Sequence, residues 1–199
     1  TCANCWGGSR GGPRAPEDDG AGELVPLRLV AVRTPTSGDV LPECPRPDAW
    51  FAVGSVIHVE VWASAGQREK GLAAVYAATS FEGAKLAVVG VVPSESFSLF
   101  ARDEPSYLPP TNHSPGWACE VGGCAGLGDT ALGAESQWVR VSTLRLRAPG
   151  VGQSVIRLAP AGTGYGVALV DRLGVLSSGE VEFGVCRLEV RKVFSTPAG

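Results

Sequence analysis

The chain has 199 residues, with 17 basic against 20 acidic side chains and a net charge of −3. That length suits one domain, or one domain plus an arm. The charge excludes a nucleic-acid binder of the ordinary kind, which carries a basic stripe, and no apolar run approaches a helical membrane span. Met is absent and no signal peptide is visible, so the expectation is a mature chain from which a leader has been cut. The cysteines number six, an even count that fits a secreted, oxidised protein.

Residues 1–22 are Gly, Pro and charge with almost nothing to bury, and read as a flexible arm. The acidic triplet Glu17-Asp18-Asp19 has no spaced ligands around it and reads as solvated rather than as a calcium site. A single β-sandwich is expected over 23–199. Its first strand is 24–33, where Leu27, Leu29 and Ala31 alternate with Arg28, Val30 and Val32. Four prolines make 34–49 an irregular connection. In Val56 to Val61, His58 and Glu60 share one face and Ile57, Val59 and Val61 the other.

Leu72 to Thr79 is small, apolar and partly β-branched, a strand buried on both faces. Phe81-Glu82-Gly83 turns the chain, and Leu86 to Val92 resumes as a Val-rich strand. The stretch 94–129 is a long irregular loop with a short strand at Phe97 to Ala101. Trp138 to Arg147 alternates, with Trp138, Arg140 and Ser142, then Leu144 and Leu146, set against Val139 and Val141. Ser154 to Leu158, Val167 to Val170 and Val181 to Val190 complete the strands, with a bulge expected at Gly184. Short strands at regular spacing with Gly/Pro turns and no helical period mean an all-β sandwich.

The strand–corner–strand unit carrying Phe81, Glu82, Leu86, Val88 and Val89 resembles the cohesin family. There an aromatic and an acidic residue end a strand, and the next begins with Leu and Val. Cohesins usually place Tyr-Asp-Pro in the corner, where this chain has Phe-Glu-Gly. Gly54-Ser55 followed by Val56 to Val61, and the run from Trp138 to Leu158, match cohesin patterns too. The resemblance spans about residues 24–192 and implies a cohesin-like jelly-roll sandwich with a protein–protein interaction role.

No catalytic constellation emerges. His58 and His113 lie near no recognisable nucleophile motif, the acids show no paired spacing, and Gly162-x-Gly164-x-Gly166 is followed by no helix that would make it a phosphate loop. No cofactor and no metal are expected. Cys119 and Cys124, around Glu-Val-Gly-Gly, are the easiest disulfide, with Cys2 close to Cys5, leaving Cys44 for Cys186. A zinc site of Cys2, Cys5, Cys119 and Cys124 is the alternative. Trp50, Trp62, Trp117 and Trp138 are either core residues or a sugar-stacking platform. Asn112 opens a glycosylation sequon.

The expectation is a non-catalytic, secreted structural or adhesive protein at the cell surface or outside the cell. It would self-associate as a homopolymer through the arm or the first strand, with Leu24, Leu27, Leu29 and Ala31 filling a neighbour's core. The alternative is a module binding a dockerin, another extracellular protein or a glycan.

Overall fold

The computed structural model describes residues 23–82, 86–102, 118–126, 132–162, 165–172 and 174–193. In chain order the strands are β1 (Val25–Val32), β2 (Val40–Leu41), β3 (Phe51–Ala52), β4 (Val56–Ala63), β5 (Leu72–Glu82), β6 (Ala87–Pro93), β7 (Leu99–Arg102), β8 (Ala118–Cys124), β9 (Trp138–Arg147), β10 (Gly152–Pro160), β11 (Ala168–Leu169), β12 (Val181–Phe183) and β13 (Val185–Arg191). They form two sheets packed face to face. The first runs β12-β1-β4-β9, with β2 and β6 sharing the far edge of β9. The second runs β3-β13-β10-β5-β8-β7, with β11 also on β5. Among the described residues no helix is long and apolar enough to cross a membrane.

The period-2 pattern builds the core. Leu27, Leu29 and Ala31 of β1, Ile57, Val59 and Val61 of β4, and Val139, Val141, Leu144 and Leu146 of β9 face inward from the first sheet. Val75, Ala77 and Phe81, then Ile156, Leu158, Leu188 and Val190, meet them from the second. A fully buried Leu or Ile contributes about 1.5–3 kcal/mol, so this continuous layer carries most of the stability. The expected corner after β5 passes from one sheet to the other, since β5 belongs to the second and β6 to the first.

Three local features differ from the sequence expectations. The loop expected over 94–129 contains two ladder-forming strands, β7 and β8, and β8 pairs with β5 along seven residues. Its glycine pair is a packing requirement: a Cβ on Gly122 would lie 2.0 Å from the Val75 carbonyl oxygen, and one on Gly123 2.0 Å from that of Phe97. The final strand is two strands. The chain leaves the first sheet after β12, which runs parallel to β1, and enters the second as β13. Gly184 is the crossing point rather than a bulge, and a Cβ there would stand 2.6 Å from the Leu27 carbonyl oxygen. The alternation in β9 breaks instead: its register against β4 shifts where Val61 pairs with Ser142 and Trp62 with Arg140. This bulge lets Val141 and Leu144 both face the core while Arg140 faces out.

β1 matches the expected first strand within a residue at each end. In this single chain it pairs with its own β4 and β12. Leu27, Leu29 and Ala31 are buried in its own core, and Leu24 is 45% exposed. Residues 1–22, the expected arm, lie outside the described residues.

Candidate interaction surface

Each sheet has an outer face, and the two differ. Across the outer face of the first sheet lies the connection 34–49, which acts as a strap. Beneath it Val30, Val32 and Trp62 form a second apolar cluster, with Leu41, Cys44 and Trp138 packed against them. Trp62 is fully buried although it points away from the main core.

A polar cluster holds the strap down. Glu60 is 0% exposed. Its carboxylate accepts the Thr36 backbone N–H and hydroxyl, both at 2.7 Å, the Trp62 Nε1–H at 2.9 Å and an Arg140 N–H at 3.0 Å. Arg140 also donates to the Thr36 carbonyl at 2.8 Å and, through Nε, to Asp39 at 2.9 Å. The other Asp39 oxygen accepts the Glu95 N–H at 2.9 Å. A buried carboxylate persists only when paired and hydrogen-bonded, and here the pairing comes from Arg140 and two of the four donors come from Thr36 of the strap. At the far end of the strap Asp48 accepts the Arg33 N–H at 2.7 Å. Arg33 lies over the Trp50 ring at 4.7 Å.

The outer face of the second sheet is different. Ala78 and Ser80 of β5, Val155, Arg157 and Ala159 of β10 and Val185 of β13 stand on neighbouring strands with their side chains half-exposed or exposed. One end of this face is aromatic. Tyr76 and Tyr165 rings meet at 5.2 Å, and Arg102 covers Tyr165 at 4.6 Å. The Tyr76 hydroxyl donates to the Phe100 carbonyl at 3.0 Å. Phe100 has φ +51° and is 71% exposed, a left-handed conformation that a bulky residue adopts only when its surroundings impose it.

The sheet edges offer less. β12 has three residues, β2 and β3 two each, and β7 four with an irregular register. The longer β6 bulges between Val88 and Gly90. Short and bulged edges resist strand addition, so a partner is better received by a face.

Of the cysteine pairings expected from the sequence, Cys119–Cys124 and Cys44–Cys186 do not fit the strand placement, and Cys2–Cys5 lies outside the described residues. Among the described residues Cys44, Cys124 and Cys186 carry free thiols. Cys119 and Cys124 lie five residues apart on one extended strand, opposite Thr79 and Ala74. That is about 16 Å at ~3.3 Å per residue, whereas a disulfide needs Cα atoms about 4.4–6.8 Å apart. Cys44 packs on the outer face of the first sheet while Cys186 lies in the core on its other side. Burial pushes each of these two thiols up to about 11; at Cys44 the nearby Arg28 opposes this, and at Cys186 a hydrogen bond to Ala31 does. Cys124 lies 3.4 Å from the Tyr76 hydroxyl. Cys2, Cys5, Asn112, His113 and Trp117 lie outside the described residues. The remaining tryptophans form no common platform: Trp62 is buried under the strap, Trp138 borders it, and Trp50 stacks between Arg33 and Arg191. Among the described residues no cluster of His, Cys, Asp and Glu could hold a metal. Sequence reasoning missed the strap and its cluster; the only local signal was an acid and a Trp on the outward parity of β4.

No protein-family profile matches the chain, and no curated protein sequence matches it. Solved structures do. A cohesin module from the family 33 glycoside hydrolase of Clostridium perfringens superposes with a TM-score of 0.56 at 9% identity, over 86% of this chain and 100% of that one. A type I cohesin from Pseudobacteroides cellulosolvens gives 0.49 at 7% identity, over 89% and 98%. A chain of a type I cohesin–dockerin complex from Clostridium thermocellum gives 0.48 at 8%, over 87% and 98%. The fold is a cohesin-like β-sandwich, as the strand–corner–strand resemblance implies.

Proposed function

We propose that this chain is a non-catalytic protein-binding module that receives a protein partner on the outer face of its second sheet. The observation that carries this reading is the asymmetry of the sandwich. One outer face is closed by the chain's own strap, the edges are short or bulged, and on the other face, among the described residues, the small side chains of Ala78, Ser80 and Ala159 stand half-exposed. Such a surface admits close approach, and the aromatic end supplies the kind of side chain that dominates binding energies. The solved structure that superposes at a TM-score of 0.56 is a cohesin module, and the cohesin resemblance makes a dockerin the first partner to test. Location at the cell surface or outside the cell belongs to the same proposal. It now stands without disulfide support from Cys44, Cys124 or Cys186.

The test is calorimetric titration of the purified chain with a panel of dockerins, in wild type, in Ala78→Glu and in a strap-side control, Ser37→Glu. Saturable binding abolished by Ala78→Glu alone supports the reading. Binding that survives it, or that is lost only in the control, refutes the assigned face.

Self-association is a second reading, favoured by the position of β1. Among the described residues only the three-residue β12 lies outside it, which places β1 one short strand from an edge. Light scattering on the full chain and on a chain lacking residues 1–22 tests it. A strictly monomeric full chain at high concentration removes it.

A further inference from the structure

On the outer face of the first sheet a cleft of about 520 Å³ opens beside the strap, within the size range of small-molecule sites. Pro35 of the strap, with Val92 and Pro93 at the end of β6, supplies apolar walls. The lining is otherwise polar, with His58 of β4 and Thr143 and Arg145 of β9 side by side. His58 and Arg145 are direct cross-strand neighbours. Two cationic groups so placed are an unfavourable pair. The His58 proton affinity is lowered by burial first and by Arg145 second, with Glu60 pulling the other way.

Among the described residues Glu60 offsets this only in part. Arg145 makes no ion pair among the described residues. Two of the neighbouring acids are committed elsewhere: Asp39 to Arg140 and the Glu95 N–H, Glu60 to Thr36, Trp62 and Arg140. Gly90, the partner of Arg145 on its other side, leaves open space where a side chain would stand. An exposed guanidinium beside an imidazole, in a walled cleft, is a ready receptor for a carboxylate. Glu95 also lines the cleft. A bare anion would meet its repulsion, whereas a ligand that brings hydroxyl donors would satisfy it.

We propose that this cleft binds a hydroxylated carboxylate, a uronate unit of an acidic glycan, with Arg145 and His58 taking the carboxylate. Thr143 and Glu95 take hydroxyls, and Val92 and Pro93 face the carbon skeleton of the sugar ring. The site lies on the opposite sheet from the partner face and stands or falls independently of it.

The experiment is an NMR titration of the full chain with a galacturonate trimer, reading the His58 ring and the Thr143 methyl. Saturable shifts are expected, with a dissociation constant of about 1 mM or tighter. Arg145→Ala weakens binding by about tenfold or more, the order expected for losing a charge-assisted hydrogen-bonded pair. Arg145 is exposed, so that variant keeps its fold, and its unchanged spectrum elsewhere verifies this; His58→Gln is the second variant. A neutral galactose trimer gives no shift, and acetate binds more weakly than the uronate. Absence of saturable shifts, indifference to Arg145→Ala, or equal affinity for acetate overturns the proposal.

Discussion

Replacing Arg140 with Met tests whether the polar cluster holds the strap. The guanidinium supplies Glu60 with its only cationic partner among the described residues, at 3.0 Å, and ties Asp39 and the Thr36 carbonyl at 2.9 and 2.8 Å. Leaving one charge of a buried pair without its partner costs about 3–5 kcal/mol. Glu60 would retain three hydrogen bonds, from Thr36 twice and from Trp62, which places the expected loss near the lower end, about 3 kcal/mol. For a chain of this size that corresponds to a melting temperature lower by roughly 6–12 °C. Urea unfolding followed by tryptophan fluorescence reads the global loss, and hydrogen exchange at the Thr36 amide reads the strap locally. Adding Glu60→Gln to Arg140→Met removes the stranded charge, so the double variant loses less than the sum of the two single changes. A loss under about 1 kcal/mol for Arg140→Met, or strict additivity, would refute the argument that the cluster acts as one paired unit.

Three other outcomes follow from the same geometry. Gly184→Ala places a methyl 2.6 Å from the Leu27 carbonyl oxygen and lowers stability by about 1–3 kcal/mol in denaturant titration; an unchanged midpoint would mean the crossing between sheets has slack. Mass spectrometry after alkylation of the folded chain finds Cys124 modified before Cys44 and Cys186, whose thiols burial pushes up to about 11; a Cys44–Cys186 or Cys119–Cys124 bridge in the intact protein contradicts the strand register. His58 titrates below its ordinary value because of burial, then Arg145. The unfolded chain therefore binds the proton more readily, and the His58 contribution, present above about pH 6.5, is lost as pH falls through the folded value. His58→Gln flattens that part of the stability–pH curve, and an unchanged curve refutes the assignment.

Much of the fold was readable because strand faces are a local property. Alternation at Leu27, Leu29 and Ala31, and at Ile57, Val59 and Val61, reports which side meets the core without knowledge of the partner. What escaped reading depended on contacts distant in sequence. The glycines at 122 and 123 read as a loose loop because the backbones that crowd them, at Val75 and Phe97, lie elsewhere in the chain. Gly184 read as a bulge because a strand that changes sheets and a strand that bulges shift parity alike. The strap read as irregular because Thr36 and Asp39 find their partners, Glu60 and Arg140, only after β4 and β9 have paired and β9 has bulged. The Cys119–Cys124 pairing does not fit for the same reason: spacing along the chain is no measure of distance once residues 118–124 are extended.

The strap also bears on how this chain could self-associate. In an exchange of β1 between two copies, Val25, Leu27, Leu29 and Ala31 leave one core and enter an equivalent one, so burial is nearly conserved. The difference lies in the hinge. That hinge is residues 34–49, and the Glu60–Arg140 cluster fixes it to the chain's own first sheet. Exchange therefore requires the cluster to open. Association through residues 1–22 alone does not, because those residues precede β1 and leave the strap in place. The two routes separate in one comparison by light scattering at matched concentration. If β1 is exchanged, Arg140→Met raises the dimer fraction above wild type, and deleting residues 1–22 leaves that rise intact. If the arm does the work, the deletion abolishes association and Arg140→Met has no effect on it. A chain that stays monomeric in all three forms shows that neither route operates.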